Sequence, residues 1–146
     1  VIKNGSKGTA MPAHKFSFSD IIINSLVNKN KIYLFDNVYY TPIHVKELAN
    51  LTLQLLNKEA FGTYNICSNE RITKYDFGIR VAKKLNLDED LIFPIKIEKK
   101  ENLVVRPKDM SLDNKKLLYK IKNNVNSLDE QLSELIKNSK IGFNAI

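Results

Sequence analysis

The sequence is poor in the residues that build metal and nucleotide-phosphate sites. Its 146 residues include one cysteine, two histidines and no tryptophan, and the five glycines stand at positions 5, 8, 62, 78 and 142. A single thiol, Cys67, excludes an internal disulfide and a multi-cysteine metal site. The glycine positions cannot form a Gly-x-Gly-x-x-Gly dinucleotide turn or a P-loop. His14 and His44 are 30 residues apart without a further ligand at zinc spacing, so a zinc site is not predicted.

Long apolar runs and a nucleophile motif are also missing. The longest apolar stretches fall far short of the ~20 residues that a membrane span requires. The N-terminus has no charged-then-apolar signal pattern, and no Gly-x-Ser-x-Gly elbow is present. We therefore expect a cytoplasmic protein without a membrane partner and without a serine nucleophile.

Positive charge exceeds negative charge, with 23 Lys+Arg against 16 Asp+Glu and a net charge of +7. The lysines are spread along the chain, and acidic residues stand beside most of their short clusters. This distribution favours a solvated basic surface. A nucleic-acid-binding face is the alternative, but no arginine-rich run or RNA-binding aromatic signature accompanies the charge.

The apolar pattern predicts one α/β domain over residues 1–146, since 43% of the residues are hydrophobic and no linker interrupts them. We expect a strand end and loop over 1–15, a lobe over 16–120, and a C-terminal helix and tail over 121–146. Helices are predicted over residues 17–28, 45–56, 73–85, 111–119 and 127–136. Strands are predicted over residues 31–35, 63–67 and 92–97, with a turn over 39–42.

Several side chains support these boundaries. Ser17 or Ser19 can cap the first helix, and two Ser/Thr-x-x-Asp/Glu pairs have the spacing of capping boxes. These pairs are Thr73 with Asp76 and Ser127 with Glu130. The second helix is predicted from residues at helical spacing, which are Val45, Leu48, Ala49, Thr52, Leu55 and Leu56.

Three ordered stretches resemble one protein family. They are Thr-Pro-Ile-His-Val-Lys-Glu-Leu-Ala at 41–49, Gly-Thr-Tyr-Asn-Ile-Cys-Ser at 62–68 leading into 72–77, and Arg-Pro-Lys-Asp-Met-Ser-Leu-Asp-Asn-Lys-Lys-Leu at 106–117. In this order they resemble the C-terminal half of extended short-chain dehydrogenase/reductases that act on nucleotide sugars. The resemblance is strongest to the dTDP-4-dehydrorhamnose reductase branch of the NAD-dependent epimerase/dehydratase family.

The resemblance implies a Rossmann domain that binds NAD(P) and a smaller lobe that closes over the nucleotide-sugar substrate. This chain matches only the lobe. Its six tyrosines include none followed four residues later by lysine, so the proton-transferring Tyr-x-x-x-Lys pair of the family is absent. We expect a fragment or separately expressed domain of an enzyme of surface polysaccharide biosynthesis, inactive alone and without a cofactor of its own. A free-standing nucleotide-sugar-binding or regulatory module is the alternative.

The resemblance also implies the substrate site. The arginine of Arg-Pro-x-Asp, Arg106, is expected to bind the diphosphate, and a planar guanidinium suits two parallel phosphate hydrogen bonds. Pairing with Asp109 is its structural alternative. Tyr40 and Thr41 are candidates for base or sugar contact, with turn packing as the alternative.

Structural roles are expected for three other residues, and three partners are expected for the chain. His44 is expected to satisfy backbone groups at a helix start, and Cys67 is expected to be a core thiol on a strand. Lys108 is expected to be solvated. The expected partners are a nucleotide sugar, the chain's own missing Rossmann half and a second copy of the chain, because separating the lobe exposes apolar surface.

Overall fold

The computed structural model describes residues 16–99 and 107–138, and this part of the chain consists of helices and short strands. The helices are α1 (Phe18–Val27), α2 (Val45–Asn57), α3 (Lys74–Lys84), α4 (Lys115–Ile121) and α5 (Leu128–Asn138). The strands are β1 (Ile32–Phe35), β2 (Tyr39–Tyr40), β3 (Ile72–Thr73) and β4 (Ile92–Ile95). The predicted α/β class is confirmed. Within the described ranges no helix is long and apolar enough to cross a membrane.

Two small sheets organise the described residues. Strands β1 and β4 pair in parallel, with Ile32 opposite Ile92 and Leu34 opposite Pro94. The predicted strand at 92–97 is thus confirmed over its first four residues. A proline is tolerated there because, among the described residues, β1 is the only ladder partner of this short strand. Strands β2 and β3 pair antiparallel, so the turn predicted from residue 39 is wrong for the first two positions.

Three helices begin at the predicted caps. The Ser17 hydroxyl accepts from the Asp20 amide at 3.2 Å, and the Asp20 carboxylate accepts from the Ser17 amide at 2.9 Å. The Thr73 hydroxyl caps α3 by accepting from the Asp76 amide at 2.9 Å. Before α5, the carboxylate of Glu130 accepts from the Ser127 amide. Each short side chain satisfies an amide that has no partner within its own helix.

The apolar side chains form two buried clusters. The larger cluster joins α1, α3 and α5 to the β1–β4 sheet and contains Ile22, Ile23, Leu26, Leu34, Ile72, Phe77, Val81, Ala82, Ile92, Leu128 and Leu132. The smaller cluster joins α2 to α4 and contains Leu51, Leu55, Leu117, Ile121 and Val125.

Polar contacts connect the two clusters. The buried carboxylate of Glu47 on α2 accepts from the backbone and side-chain amides of Asn126, each at 2.9 Å. The Gln131 side chain on α5 accepts from the His44 amide at 2.8 Å and donates to the Asn126 carbonyl. The His44 imidazole makes no cap hydrogen bond, so the expectation that this ring satisfies backbone groups is wrong.

Helix α2 buries a different face from the one that its spacing suggests. Only Leu55 of the predicted set is buried, and the other buried residues are Glu47 and Leu51. Val45 is 72% exposed and Leu56 is 65% exposed. We call the exposed apolar residues of this helix the α2 stripe, which consists of Val45, Leu48, Leu53 and Leu56.

Two further predictions are corrected. Residues 63–67 are not a strand, because no described strand lies beside them to complete a ladder. The helix predicted from residue 111 begins only at Lys115. Its amide bonds the Asp113 carboxylate at 2.7 Å, and such short local hydrogen bonds compete with the helical pattern.

Candidate functional site

The three sequence stretches meet next to Thr41. Its hydroxyl oxygen accepts from the Leu112 amide at 3.2 Å. The Cys67 thiol lies 3.5 Å from the Leu112 carbonyl, to which it donates. Thr41, Cys67 and Leu112 belong to the first, second and third stretch respectively. Residues separated by up to 71 positions in the chain therefore form one local structure.

A polar groove of about 420 Å³ opens at this junction. It is lined by Thr41, Ser68, Asn69, Arg71, Ser111, Leu112, Asp113, Asn114 and Lys115. We call it the Thr41 groove. Its hydroxyls, amides and charged groups of both signs can hydrogen-bond hydroxyl and phosphate oxygens of a ligand.

Asn114 fixes the inner wall of this groove. Its side-chain nitrogen donates to the Cys67 carbonyl at 3.1 Å and to the Asn69 side-chain oxygen at 2.7 Å. Both donors of one nearly buried amide are thereby satisfied. The network connects the start of α4 to the segment that follows Cys67. Cys67 itself is buried in the core as predicted, although it is not on a strand. Burial raises the pKa of the Cys67 thiol and so disfavours the reactive thiolate.

Arg71, which lines the groove, is paired with Asp109. The Arg71 Nε and one terminal nitrogen donate to Asp109 Oδ2 at 3.0 and 2.8 Å. The Arg71 side chain and Ser111 bond the Asp109 carboxylate and lower its pKa to about 2. This carboxylate is therefore ionised throughout the neutral range.

The chain on either side of Asp109 is bonded to β2. The Tyr39 amide donates to the Lys108 carbonyl at 2.7 Å, and the Met110 amide donates to the Tyr39 carbonyl at 2.9 Å. The Lys108 side chain is 60% exposed, as expected of a solvated lysine, and its ammonium pairs with Glu98. Together with an amide of Asn37, it lowers the pKa of the Glu98 carboxyl to about 2.

The three predicted substrate residues have different surroundings. Thr41 lines the groove, whereas Arg106 lies outside the described residues, of which Pro107 is the next in the chain. The Asp109 carboxylate, the alternative partner of Arg106, is bonded to Arg71 and Ser111. The roles assigned to Arg106, Thr41 and Tyr40 stay predictions.

Tyr40 packs into the larger buried cluster. Its ring lies 5.9 Å from the ring of Phe77 and 6.4 Å from that of Phe18, and the Lys74 ammonium lies 3.5 Å from its centre. The hydroxyl oxygen is buried and has no hydrogen-bond partner among the described residues. Burial raises the Tyr40 pKa far above its ordinary value and lowers the pKa of Lys74. This environment favours the packing alternative for Tyr40.

Arg71, Asn69 and Asn114 are groove residues that the sequence did not single out. Asn69 and Arg71 stand in the polar segment between the two halves of the second stretch. Arg71 is separated from Asp109 by 38 positions, and nothing in their local patterns indicates that they pair. Asn114 lies inside the third stretch, and this position was the one sequence signal that could have indicated a role for it in the groove.

A second cavity of about 360 Å³ lies between α1, α5 and the start of α2. Its walls are mainly apolar and include Pro42, Ile43, Phe77, Leu128, Leu132 and Leu135. Metal-binding chemistry is not seen in the described residues, which contain no group of three potential His, Cys, Asp or Glu ligands. The sequence also encodes no glycine-rich phosphate turn.

Comparison with solved structures defines the class of protein. The described fold aligns with dTDP-4-dehydrorhamnose reductases from Bacillus anthracis, with NADP, and from Clostridium acetobutylicum. Their TM-scores are 0.77 and 0.75 at 17% and 21% identity, and each match covers 85% of this chain and 44% of the other. A UDP-N-acetylglucosamine 4-epimerase from Methanobrevibacter ruminantium aligns with a TM-score of 0.65 at 17% identity, over 86% of this chain and 40% of that one. The fold is that of Rossmann-type reductases and epimerases, over less than half their length.

Sequence comparison identifies the family. The model of the RmlD substrate binding domain matches residues 11–141, and the chain belongs to this family. A relative from Haloferax volcanii, named "Probable low-salt glycan biosynthesis reductase Agl14", is 26% identical over 96 residues. That match covers 66% of this chain and 32% of the relative. The resemblance to the dTDP-4-dehydrorhamnose reductase branch is thereby confirmed.

Proposed function

We propose that this chain is the nucleotide-sugar-binding lobe of an NAD(P)-dependent reductase and that the Thr41 groove is part of its substrate site. The convergence of all three sequence stretches on Thr41 carries this proposal. Membership in a substrate-binding domain family and the likeness to nucleotide-sugar enzymes support it. Reductive synthesis of a surface glycan sugar is the proposed role of the whole enzyme.

The proposed ligand chemistry follows from the groove. The hydroxyls of Thr41, held by a backbone amide, and of Ser111, held by the Asp109 carboxylate, can bond sugar or ribose oxygens. Arg106, on the third stretch, would bind the diphosphate. Lysines elsewhere are paired with carboxylates, including Lys96 with Asp36 and Lys83 with Glu89. Such pairing favours a solvated basic surface over a nucleic-acid face.

We also propose that the α2 stripe contacts the dinucleotide-binding half of the enzyme. Large apolar side chains on one helix face are costly to leave in water. The solved relatives are more than twice as long as the part that this chain matches, which supports a missing partner domain. A second copy of the chain would cover the same stripe when that half is absent.

Binding of dTDP-glucose by the chain, measured by isothermal titration calorimetry, tests the substrate site. Hydrogen bonds to charged groups contribute about 1.5–3 kcal/mol, so Arg106→Ala should weaken binding roughly 10- to 150-fold. Arg106→Lys should recover only part of this loss, because an ammonium keeps the charge without the planar fork. A lower melting temperature at unchanged affinity would instead show a structural role for Arg106.

Absence of hydride transfer is the second expected property of the chain. Neither a cofactor turn nor a Tyr-x-x-x-Lys pair is encoded, so no described group can position a nicotinamide or transfer the hydroxyl proton. NADH or NADPH consumption with a dTDP-4-keto sugar, followed at 340 nm, measures this activity. Turnover by the pure chain would contradict the proposal.

A further inference from the structure

We infer that Arg71 is a positioning residue that holds the third sequence stretch against β2 and so shapes the Thr41 groove. This inference rests on the proposed function for its effect on ligand binding. The residues concerned are Tyr39, Arg71 and Asp109, which we call the Arg71 clamp. Arg71 acts through Asp109 and is not proposed to touch the ligand.

The clamp joins three separate segments of the chain. The guanidinium centre of Arg71 lies 3.5 Å from the centre of the Tyr39 ring, so the cation lies on the aromatic face. Two of its nitrogens bond one carboxylate oxygen of Asp109. The other oxygen accepts from the Ser111 amide at 3.0 Å and from the Ser111 hydroxyl. Arg71 is thus connected through a single aspartate to a hydroxyl that lines the groove.

Backbone contacts at the same place explain why the clamp can affect the position of the loop that lines the groove. Tyr39 bonds the chain at Lys108 and Met110, on both sides of Asp109. Beyond these bonds, Leu112 is tied to Thr41. The loop from Pro107 to Leu112 is therefore held by contacts with β2 and Thr41, by the Lys108–Glu98 ion pair and by the clamp. Loss of these contacts would let Ser111 and Leu112 move relative to Thr41.

The chemistry of the clamp requires arginine. A planar guanidinium can lie on a ring while two N–H groups on its edge donate to one carboxylate oxygen, and an ammonium cannot do both. The side chains of Arg71 and Asp109 are about half exposed, at 48% and 49%. An exposed ion pair contributes little to global stability, so we expect local order, rather than overall folding, to be its main effect.

The experiment compares Arg71→Ala, Arg71→Lys, Asp109→Ala and the double alanine variant of the whole chain. Arg80→Ala is the matched control, because Arg80 on α3 pairs with Glu70 and neither residue lines the groove. Hydrogen exchange of the Tyr39 and Met110 amides is measured without ligand. Affinity for dTDP-glucose is measured by calorimetry.

We expect exchange of both amides to accelerate about 10-fold in either single alanine variant. In the wild type, local opening of the loop must break the clamp, and without the clamp the free energy of opening is lower. Affinity for dTDP-glucose should fall about 5- to 30-fold in each single alanine variant. The double alanine variant should lose no more affinity than either single one, because both substitutions remove the same contact. Arg71→Lys should restore only part of the lost affinity. Arg80→Ala should change neither quantity.

Three results would overturn the inference. Unchanged exchange in Arg71→Ala would show that the clamp does not order the loop. Unchanged or stronger binding by Asp109→Ala, with weaker binding by Arg71→Ala, would show that Arg71 itself binds the ligand. Equal losses in Arg80→Ala would show a general effect of surface charge. If the wild type does not bind dTDP-glucose, the proposed function fails, while the exchange data still decide whether the clamp exists.

Discussion

At the scale of single residues, the neighbours Tyr40 and Thr41 have different surroundings: Tyr40 packs in the core and Thr41 lines the groove. Tyr40 places its ring among Phe18, Phe77 and Lys74, whereas Thr41 bonds Leu112 in the groove. The aromatic ring thereby anchors the end of β2 in the larger cluster. We infer that the position of the Thr41 hydroxyl depends on this anchoring.

Tyr40→Phe tests whether the ring acts by packing alone. A buried hydroxyl without a partner costs about 1–3 kcal/mol, so its removal should raise the melting temperature by about 2–12 °C. Affinity for dTDP-glucose should stay unchanged. Tyr33→Phe is the control, because the Tyr33 side chain is 61% exposed and its hydroxyl can bond water. Weaker binding by Tyr40→Phe would instead place the phenol in contact with the ligand.

At the scale of elements, the contact between α3 and β1 depends on a glycine. A Cβ added at Gly78 would lie 2.3 Å from Leu34 Cδ1 and 3.7 Å from Ile92 Cδ1. Leu34 is buried in the larger cluster and has little room to move. The small residue therefore sets how closely the helix approaches the two-stranded sheet.

Gly78→Ala should destabilise the chain although alanine is the better helix former. Overpacking costs about 1–3 kcal/mol, which exceeds the gain of up to ~1 kcal/mol in helix propensity. Urea unfolding followed by circular dichroism measures the change. Lys84→Ala, at an exposed position near the end of the same helix, should be close to neutral. A Gly78→Ala variant as stable as the wild type would contradict the close approach.

At the scale of the whole molecule, the α2 stripe is an apolar surface that the described residues leave exposed. Four large apolar residues of this helix are exposed, while Leu51, Leu55 and a glutamate of the same helix are buried. In globular proteins the exposed side of a helix is usually polar. The stripe is therefore the surface on which we expect another domain or another copy to associate.

Self-association of the isolated chain follows from this surface. At about 100 µM, light scattering should detect species larger than a monomer, because exposed apolar patches favour association. Leu56→Glu should shift the chain toward monomer by placing a charge in the contact. Val27→Glu, at an exposed apolar site on α1, is the control and should not change the distribution. A strictly monomeric wild type would exclude this role for the stripe.

Local signals predicted the helices well and the β structure less well. The caps at Ser17, Thr73 and Ser127 were predictable because each bond spans only three residues. Strand β2 and the absence of a strand at 63–67 were not predictable, since a ladder depends on a neighbour that is distant in sequence. For the same reason, the pairing of Arg71 with Asp109 could not be inferred from either segment.

The sequence by itself determined the starts of the three capped helices, the α/β class and the three stretches that indicate the family, because these depend on short-range spacing and residue chemistry. It also determined that no dinucleotide turn or proton-transfer pair is encoded. Only the tertiary structure decided which face of α2 is buried, where Tyr40 packs and how Thr41, Cys67 and Leu112 meet. Those outcomes depend on contacts between distant segments, whose free energy no local pattern contains.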